Sequence, residues 1–211
     1  MKKTVLAMLL VCQIAFCMIL KAQSPDYTIV YQTQRWANEN GVETWKEDGG
    51  TLKWLVKGEK CRMETRMPHG GEVVSINEEN AGITLIKDKD VKKYSLVSRS
   101  DTKPLDFEIH ETGKTKEIVG YTCYQVIVKK ANGQESEVWY TRDIKVKSRA
   151  LNNSFGKGLD GFVLEELGPN KKAGIRLVAV EVSTEELEEG FFDLTPPAGY
   201  EEFGQPLKPS K

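Results

Sequence analysis

What this chain lacks most is recognisable chemistry. Histidine occurs only at His69 and His110, and beyond the first 22 residues cysteine occurs only at Cys61 and Cys123. A two-sulfur, two-nitrogen zinc set draws its ligands from closely spaced pairs. None of these four has a like partner within four positions, so the spacing argues against a metal. Gly113-Lys114-Thr115 resembles the end of a phosphate-cradling loop, but Glu108 stands where that loop needs its first glycine. There is no Gly-x-Ser-x-Gly elbow, no His-Glu-x-x-His and no Gly-x-Gly-x-x-Gly after a strand. With 31 acidic residues, no carboxylate pair singles itself out for acid–base work. The residues therefore read as a non-enzymatic protein with no cofactor. An excess of basic charge is also missing: the formal net charge is −1, which gives no electrostatic footprint for nucleic acid.

Long apolar runs are absent too, with one exception. Lys2 and Lys3 precede a nearly unbroken apolar stretch from Val5 to Leu20, and Lys21-Ala22-Gln23-Ser24 follows. That is the layout of a secretory signal peptide over 1–22, cleaved near Ala22. A bilayer span needs about 20 apolar residues; this run is shorter and is interrupted by Gln13. Val11 and Phe16 stand before Cys12 and Cys17, where a lipidated cysteine would want a small residue. The expected location is therefore periplasmic or secreted. Losing Lys2, Lys3 and Lys21 takes the basic count from 30 to 27 against 31 acids, a net charge of −4. Residues 23–203 suit one domain. The stretch 204–211 (GQPLKPSK) reads as a fraying tail.

The period of the mature sequence is two. Segments at 27–36, 51–56, 60–67, 73–77, 82–87 and 92–97 alternate polar with β-branched or aromatic residues. Those at 107–111, 116–119, 122–130, 134–142, 162–167 and 174–183 do the same. Short turns separate them, among them Lys57-Gly58-Glu59, Glu78-Glu79-Asn80 and Asp88-Lys89-Asp90. Asn132-Gly133 predicts a two-residue primed turn. About ten strands in such a series predict a mainly β domain, an antiparallel meander folded as one curved sheet or an incomplete barrel. Its concave face should be apolar and its convex face solvated. Few helices are expected. Ser183 and Glu186 fit a capping box for a short one ending at Gly190, and a second falls at 148–155.

Trp36, Trp45, Trp54, Tyr94, Phe107, Tyr124, Trp139 and Phe162 lie on or beside these strands. Each reads either as ordinary core or as lining of an apolar cavity. The candidate lining set is Trp54, Met63, Tyr94, Phe107, Tyr124, Val126, Trp139 and Phe162. Cys61 and Cys123 form either a disulfide, contributing about 3–5 kcal/mol, or two thiols. Cys123 has the opposite parity to Tyr124 and Val126, so a disulfide would call for a β-bulge near Gly120. The basic run Arg142, Lys145, Lys147, Arg149 reads as a charged edge, or as a surface for peripheral contact with anionic lipid.

Three stretches resemble known families. Gly120-Tyr121-Thr122-Cys123-Tyr124 leads into a hairpin ending Glu137-Val138-Trp139-Tyr140-Thr141-Arg142-Asp143-Ile144, and Gly158-Leu159-Asp160-Gly161-Phe162-Val163-Leu164-Glu165 follows. These resemble secreted Bacteroidota proteins of unknown function, the GLPGLI group and its relatives with a Gly-Tyr-x-Cys hairpin. Phe191-Phe192-Asp193-Leu194-Thr195-Pro196-Pro197-Ala198-Gly199-Tyr200 is similar to the C-terminal strand of LolA-like lipoprotein carriers. That resemblance implies a half-barrel around an apolar cavity, lidded by short helices, that shields acyl chains without covalent chemistry. The leading expectation is an exported protein holding a lipid or other apolar small molecule. The alternative is an envelope interaction or structural module with a filled core and a protein partner.

Overall fold

A computed structural model describes residues 25–98, 107–146, 159–168 and 174–203. The expected signal segment at 1–22, the expected tail at 204–211 and the expected helix at 148–155 fall outside these residues. The described chain is mainly β. In chain order the strands are β1 (Tyr27–Glu39), β2 (Val42–Lys57), β3 (Lys60–Arg66), β4 (Glu72–Glu78), β5 (Ala81–Asp88) and β6 (Val91–Ser98). Then come β7 (Phe107–Ile118), β8 (Tyr121–Lys130), β9 (Glu135–Thr141), β10 (Phe162–Leu167), β11 (Ile175–Ser183) and β12 (Glu201–Glu202). All join one open sheet in the order β12-β6-β5-β4-β3-β2-β1-β11-β10-β9-β8-β7. Every pairing is antiparallel except that of β12 with β6.

Chain length requires the sheet to curve. Ser98 of β6 and Phe107 of β7 are nine peptide steps apart, a reach of at most about 32 Å. In a flat sheet these strands, ten places apart in the order, would stand about 48 Å from each other. One packed cluster meets the same demand, joining Tyr27, Ile29 and Val56 of β1 and β2 to Ile118, Cys123, Phe162 and Leu164 of β7, β8 and β10. A second cluster packs Leu55, Val74, Ile76, Ile83 and Leu85 under Leu187 and Phe192. A third gathers Val126, Val128, Val138 and Tyr140.

Several local expectations are corrected. The segment after Ser183 forms no α-helix; only a 3-10 turn at Glu189–Phe192 follows. Glu185, Glu186, Glu188 and Glu189 would crowd like charges on successive helical turns. Leu187 and Phe192 instead bury themselves on the sheet, at 7% and 3% exposure. The stretch to Tyr200 is thus a strap over β2–β6, not a long C-terminal strand. It covers a face expected to be solvated. Lys57 donates to the Leu187 carbonyl at 2.6 Å, and Arg62 donates to that of Phe191 at 3.1 Å.

The loop at Asn132-Gly133 is a three-residue one. Gly133 N donates to Lys130 O and Lys130 N donates to Gln134 O, each at 2.8 Å, with Gly133 at φ 80°. That is a type I turn closed by a glycine bulge, a common alternative to the primed turn. The true two-residue Asn-Gly turn is Asn40-Gly41, at φ 53° and 83°, between β1 and β2. No bulge lies at Gly120 either; Val119-Gly120 is itself a tight turn, and the register of β7 slips between Glu111 and Thr115. The glycine at Gly161 has a steric reason. A Cβ there would lie 1.9 Å from the Thr141 carbonyl oxygen.

No disulfide joins Cys61 and Cys123; both are thiols at 0% exposure. Cys61 sits on β3 and Cys123 on β8, six places apart in the sheet. The parity conflict disappears because both sides of β8 are buried: Cys123 and Gln125 on one, Val126 and Val128 on the other.

Candidate functional site

The eight candidate lining residues do not converge on one site. Trp54, Trp139 and Phe162 belong to the first cluster, Tyr94 packs on the second, and Phe107, Tyr124 and Val126 belong to the third. Met63 faces Trp54 across β2 and β3, and both are half-buried. His69 and His110 are exposed on separate strands or loops. Among the described residues no three His, Cys, Asp or Glu side chains gather as metal ligands would.

The basic run is largely neutralised where it is described. Arg142 pairs with Glu111 at 3.2 Å and lies 4.3 Å from the centre of the Tyr124 ring. Lys145 pairs with Asp160 at 2.5 Å. Lys147 and Arg149 lie outside the described residues.

The polar group that does converge was not singled out by sequence reasoning. Glu165 of β10 has a side chain only 6% exposed, yet accepts hydrogen bonds from Lys116 Nζ at 2.5 Å and Arg176 Nε at 2.9 Å. Arg176 also donates to the Gln34 amide oxygen at 3.0 Å. Lys116 lies 4.1 Å above the Trp139 ring, whose Nε1–H donates to Glu137 at 3.0 Å. Beside Trp139, buried Gln125 accepts from the Thr112 hydroxyl at 2.7 Å. Residues from β7, β8, β9, β10, β11 and β1 thus form one band.

Two features aim Glu165. The register between β9 and β10 slips between Val163 and Glu165, and a bulge redirects the side chains beside it. The second is curvature. Lys116 lies three strands from Glu165, about 14 Å away in a flat sheet. The two side chains meet because both lie inside the curve. A charged cluster therefore occupies the inner side where an apolar lining was expected. The visible signal was Glu165-Glu166 interrupting Phe162-Val163-Leu164 in a central strand, together with Arg176 in β11.

Glu166 carries its charge without such help. Burial raises its carboxyl above the ordinary range, and Lys130 pulls it partly back. Burial, with Glu166 and Cys123 nearby, pushes the Tyr31 phenol far above its usual value; its hydroxyl donates to the Val163 carbonyl. Burial likewise pushes the Cys123 thiol up to about 11, with Lys116 opposing. Such a thiol is inert at neutral pH. Glu165 has its carboxylate oxygens occupied by Lys116 and Arg176. The band can hold strands in register, and the partly exposed heads of Lys116 and Arg176 can face a polar surface.

A family model described as N-glycanase peptide, N-terminal domain, matches residues 28–189. Two solved structures share the fold. PNGF-II, in its C2 crystal form, superposes with a TM-score of 0.51 at 18% identity, over 85% of this chain and 31% of that one. An uncharacterised conserved protein from Thermus thermophilus superposes with a TM-score of 0.52 at 12% identity, over 91% of this chain and 99% of its own. At these identities the likeness is one of fold. The chain spans about a third of the length of PNGF-II. No curated protein matches the sequence.

Proposed function

We propose, from the premise that this chain belongs to the N-glycanase peptide N-terminal domain family, that it is an exported, non-catalytic docking module. It acts by contact with a partner polypeptide, and any glycan chemistry resides in that partner. One observation carries this reading. The inner side of the sheet is filled by packed side chains and by a carboxylate already neutralised by Lys116 and Arg176. Among the described residues, nucleophile, base and open cleft are not gathered there.

A second reading, an apolar ligand held as in the LolA-like carriers, draws its support from the half-buried pair Trp54 and Met63. Two measurements separate the alternatives. The purified chain is incubated with an N-glycopeptide and followed by mass spectrometry. No glycan release is expected, and release would refute the non-catalytic reading. Organic extraction of the same preparation should yield no stoichiometric lipid. Recovery of one lipid per chain would favour the carrier reading instead.

A further inference from the structure

Among the described residues, β7 forms a long free edge of the sheet. β7 ends the strand order and pairs only with β8, so the backbone groups on its outer side have no strand partner among the described residues. Its slip between Glu111 and Thr115 leaves a regular stretch of five residues, Phe107–Glu111, open to a further strand. At the end of that stretch is a depression of about 160 Å³, lined by Phe107, Glu108, Lys129, Lys130, Ala131 and Gly133. An added strand gains affinity from backbone hydrogen bonds and specificity from such side-chain recesses.

The charges around the edge select the strand. On the open stretch, Glu111 pairs with Arg142 at 3.2 Å, and Glu108 lies 3.5 Å from the His110 ring. Lys129 stands in register with Glu108 and Glu135, and Lys130 exerts a field on Glu166. Among the described residues, however, neither lysine has an ion-pair partner. Lys114 of β7 has no ion-pair partner among the described residues either, but only Lys129 and Lys130 line the depression.

Resting on the docking reading above, we infer that β7 is the docking edge, and that it takes an extended, acidic segment of a partner polypeptide. The segment adds as a strand along Phe107–Glu111 and places a carboxylate between Lys129 and Lys130. The bulge beyond Glu111 stops the added strand and keeps the edge from open-ended pairing.

A fluorescent hexapeptide of alternating valine and glutamate, blocked at both ends, is titrated against the protein by anisotropy at low and moderate salt. Three comparisons accompany it: the valine–lysine peptide, the valine–glutamate peptide N-methylated at alternate residues, and the protein variant Lys129→Gln/Lys130→Gln. Binding by the acidic peptide alone is expected, weakened about tenfold by the double variant. Amide exchange at Phe107–Glu111 should slow on binding. The variant's circular dichroism and urea midpoint verify that it folds. Equal binding by the N-methylated peptide would overturn strand addition. An unchanged affinity in the variant would overturn the lysine recess, and no binding at all would overturn the inference. None of these failures touches the glycopeptide result, so the non-catalytic reading stands or falls separately.

Discussion

Glu165 offers the sharpest test of how the inner side is built. Its side chain is 6% exposed and accepts from Lys116 at 2.5 Å and from Arg176 at 2.9 Å, so solvent screens neither contact fully. Removing one member of a buried ion pair costs about 3–5 kcal/mol, because the remaining charge loses its compensation. Here two charges are orphaned, but Lys116 and Arg176 keep 31% and 26% exposure and can turn partly toward water. The low end of that range, about 3 kcal/mol, is therefore expected for Glu165→Ala. With a urea m-value of about 2 kcal/mol/M, the midpoint should fall by about 1.5 M. Glu165→Gln keeps some hydrogen bonding and should lose about 2 kcal/mol.

The assay is urea unfolding of the chain from Gln23, followed by tryptophan fluorescence. Added salt should barely change the difference, since buried pairs are weakly screened. The decisive control replaces the whole cluster, Glu165→Leu with Lys116→Met and Arg176→Met. With no charge left unpaired, it should stay within about 1 kcal/mol of the parent. Were Glu165→Ala to cost less than about 1 kcal/mol, the cluster would behave as a surface pair. Were the triple variant to lose as much as the single one, packing rather than charge would be the cause.

Other outcomes follow from the same structure. Glu166→Gln should stabilise the fold at pH 7 and change little at pH 4. A raised carboxyl gives stability that is present below its unfolded pKa and lost as pH rises through the folded one. The Cys123 thiol, pushed up to about 11 from 9.0, should withdraw its share of stability over that alkaline window, and Cys123→Ser should flatten the fall in urea midpoint there. In the chain from Gln23, a thiol reagent should label neither Cys61 nor Cys123 until denaturant is added; rapid labelling of the native protein would contradict their burial. Val119, a β-branched residue held at φ 44°, should be improved by Val119→Asn by about 1 kcal/mol in the same unfolding assay. Phe192→Ala should cost about 3 kcal/mol or more by stripping the strap from β3 and β4; a neutral result would mean that the strap is ornamental.

Strand identity was readable because alternation is a local signal. Segments at 60–67, 73–77, 82–87 and 92–97 differ from β3–β6 by a residue or two at their ends. What alternation does not encode is how a strand is covered. Tyr124, Val126 and Val128 read as a buried face and Cys123 and Gln125 as its reverse, yet β8 is buried on both sides, because distant parts of a curved sheet lie across it. The missed β1–β2 hairpin was a different failure. Asn40-Gly41 carries the same signal as Asn132-Gly133, but Val42, Glu43 and Thr44 beside it are exposed on a ribbon that pairs with no third strand among the described residues, so alternation has no buried face to mark there. The acidic strap failed for a tertiary reason: a capping box fixes the start of a helix, while Leu187 and Phe192 gain more from the sheet than from one helical turn.

The band around Glu165 was hidden for a reason that bears on function. Its members are scattered from Gln34 to Arg176, and only the topology, with β1 lodged between β2 and β11, makes them neighbours. A carrier needs a hollow whose walls are apolar and empty. This sheet bends enough to form one, since Lys116 and Glu165 meet across three strand spacings. It then fills the space near those residues with ions, hydrogen-bonded amides and the Trp139 ring. A buried carboxylate between two cations gives little net stability over an apolar packing but penalises any shift of register that would separate them. Rigid curvature with a satisfied interior suits a sheet used as a platform, where recognition moves to the rim. Among the described residues the rim strand β7 pairs on one side only, and Lys129 and Lys130 line the recess at its end with no ion-pair partner among those residues.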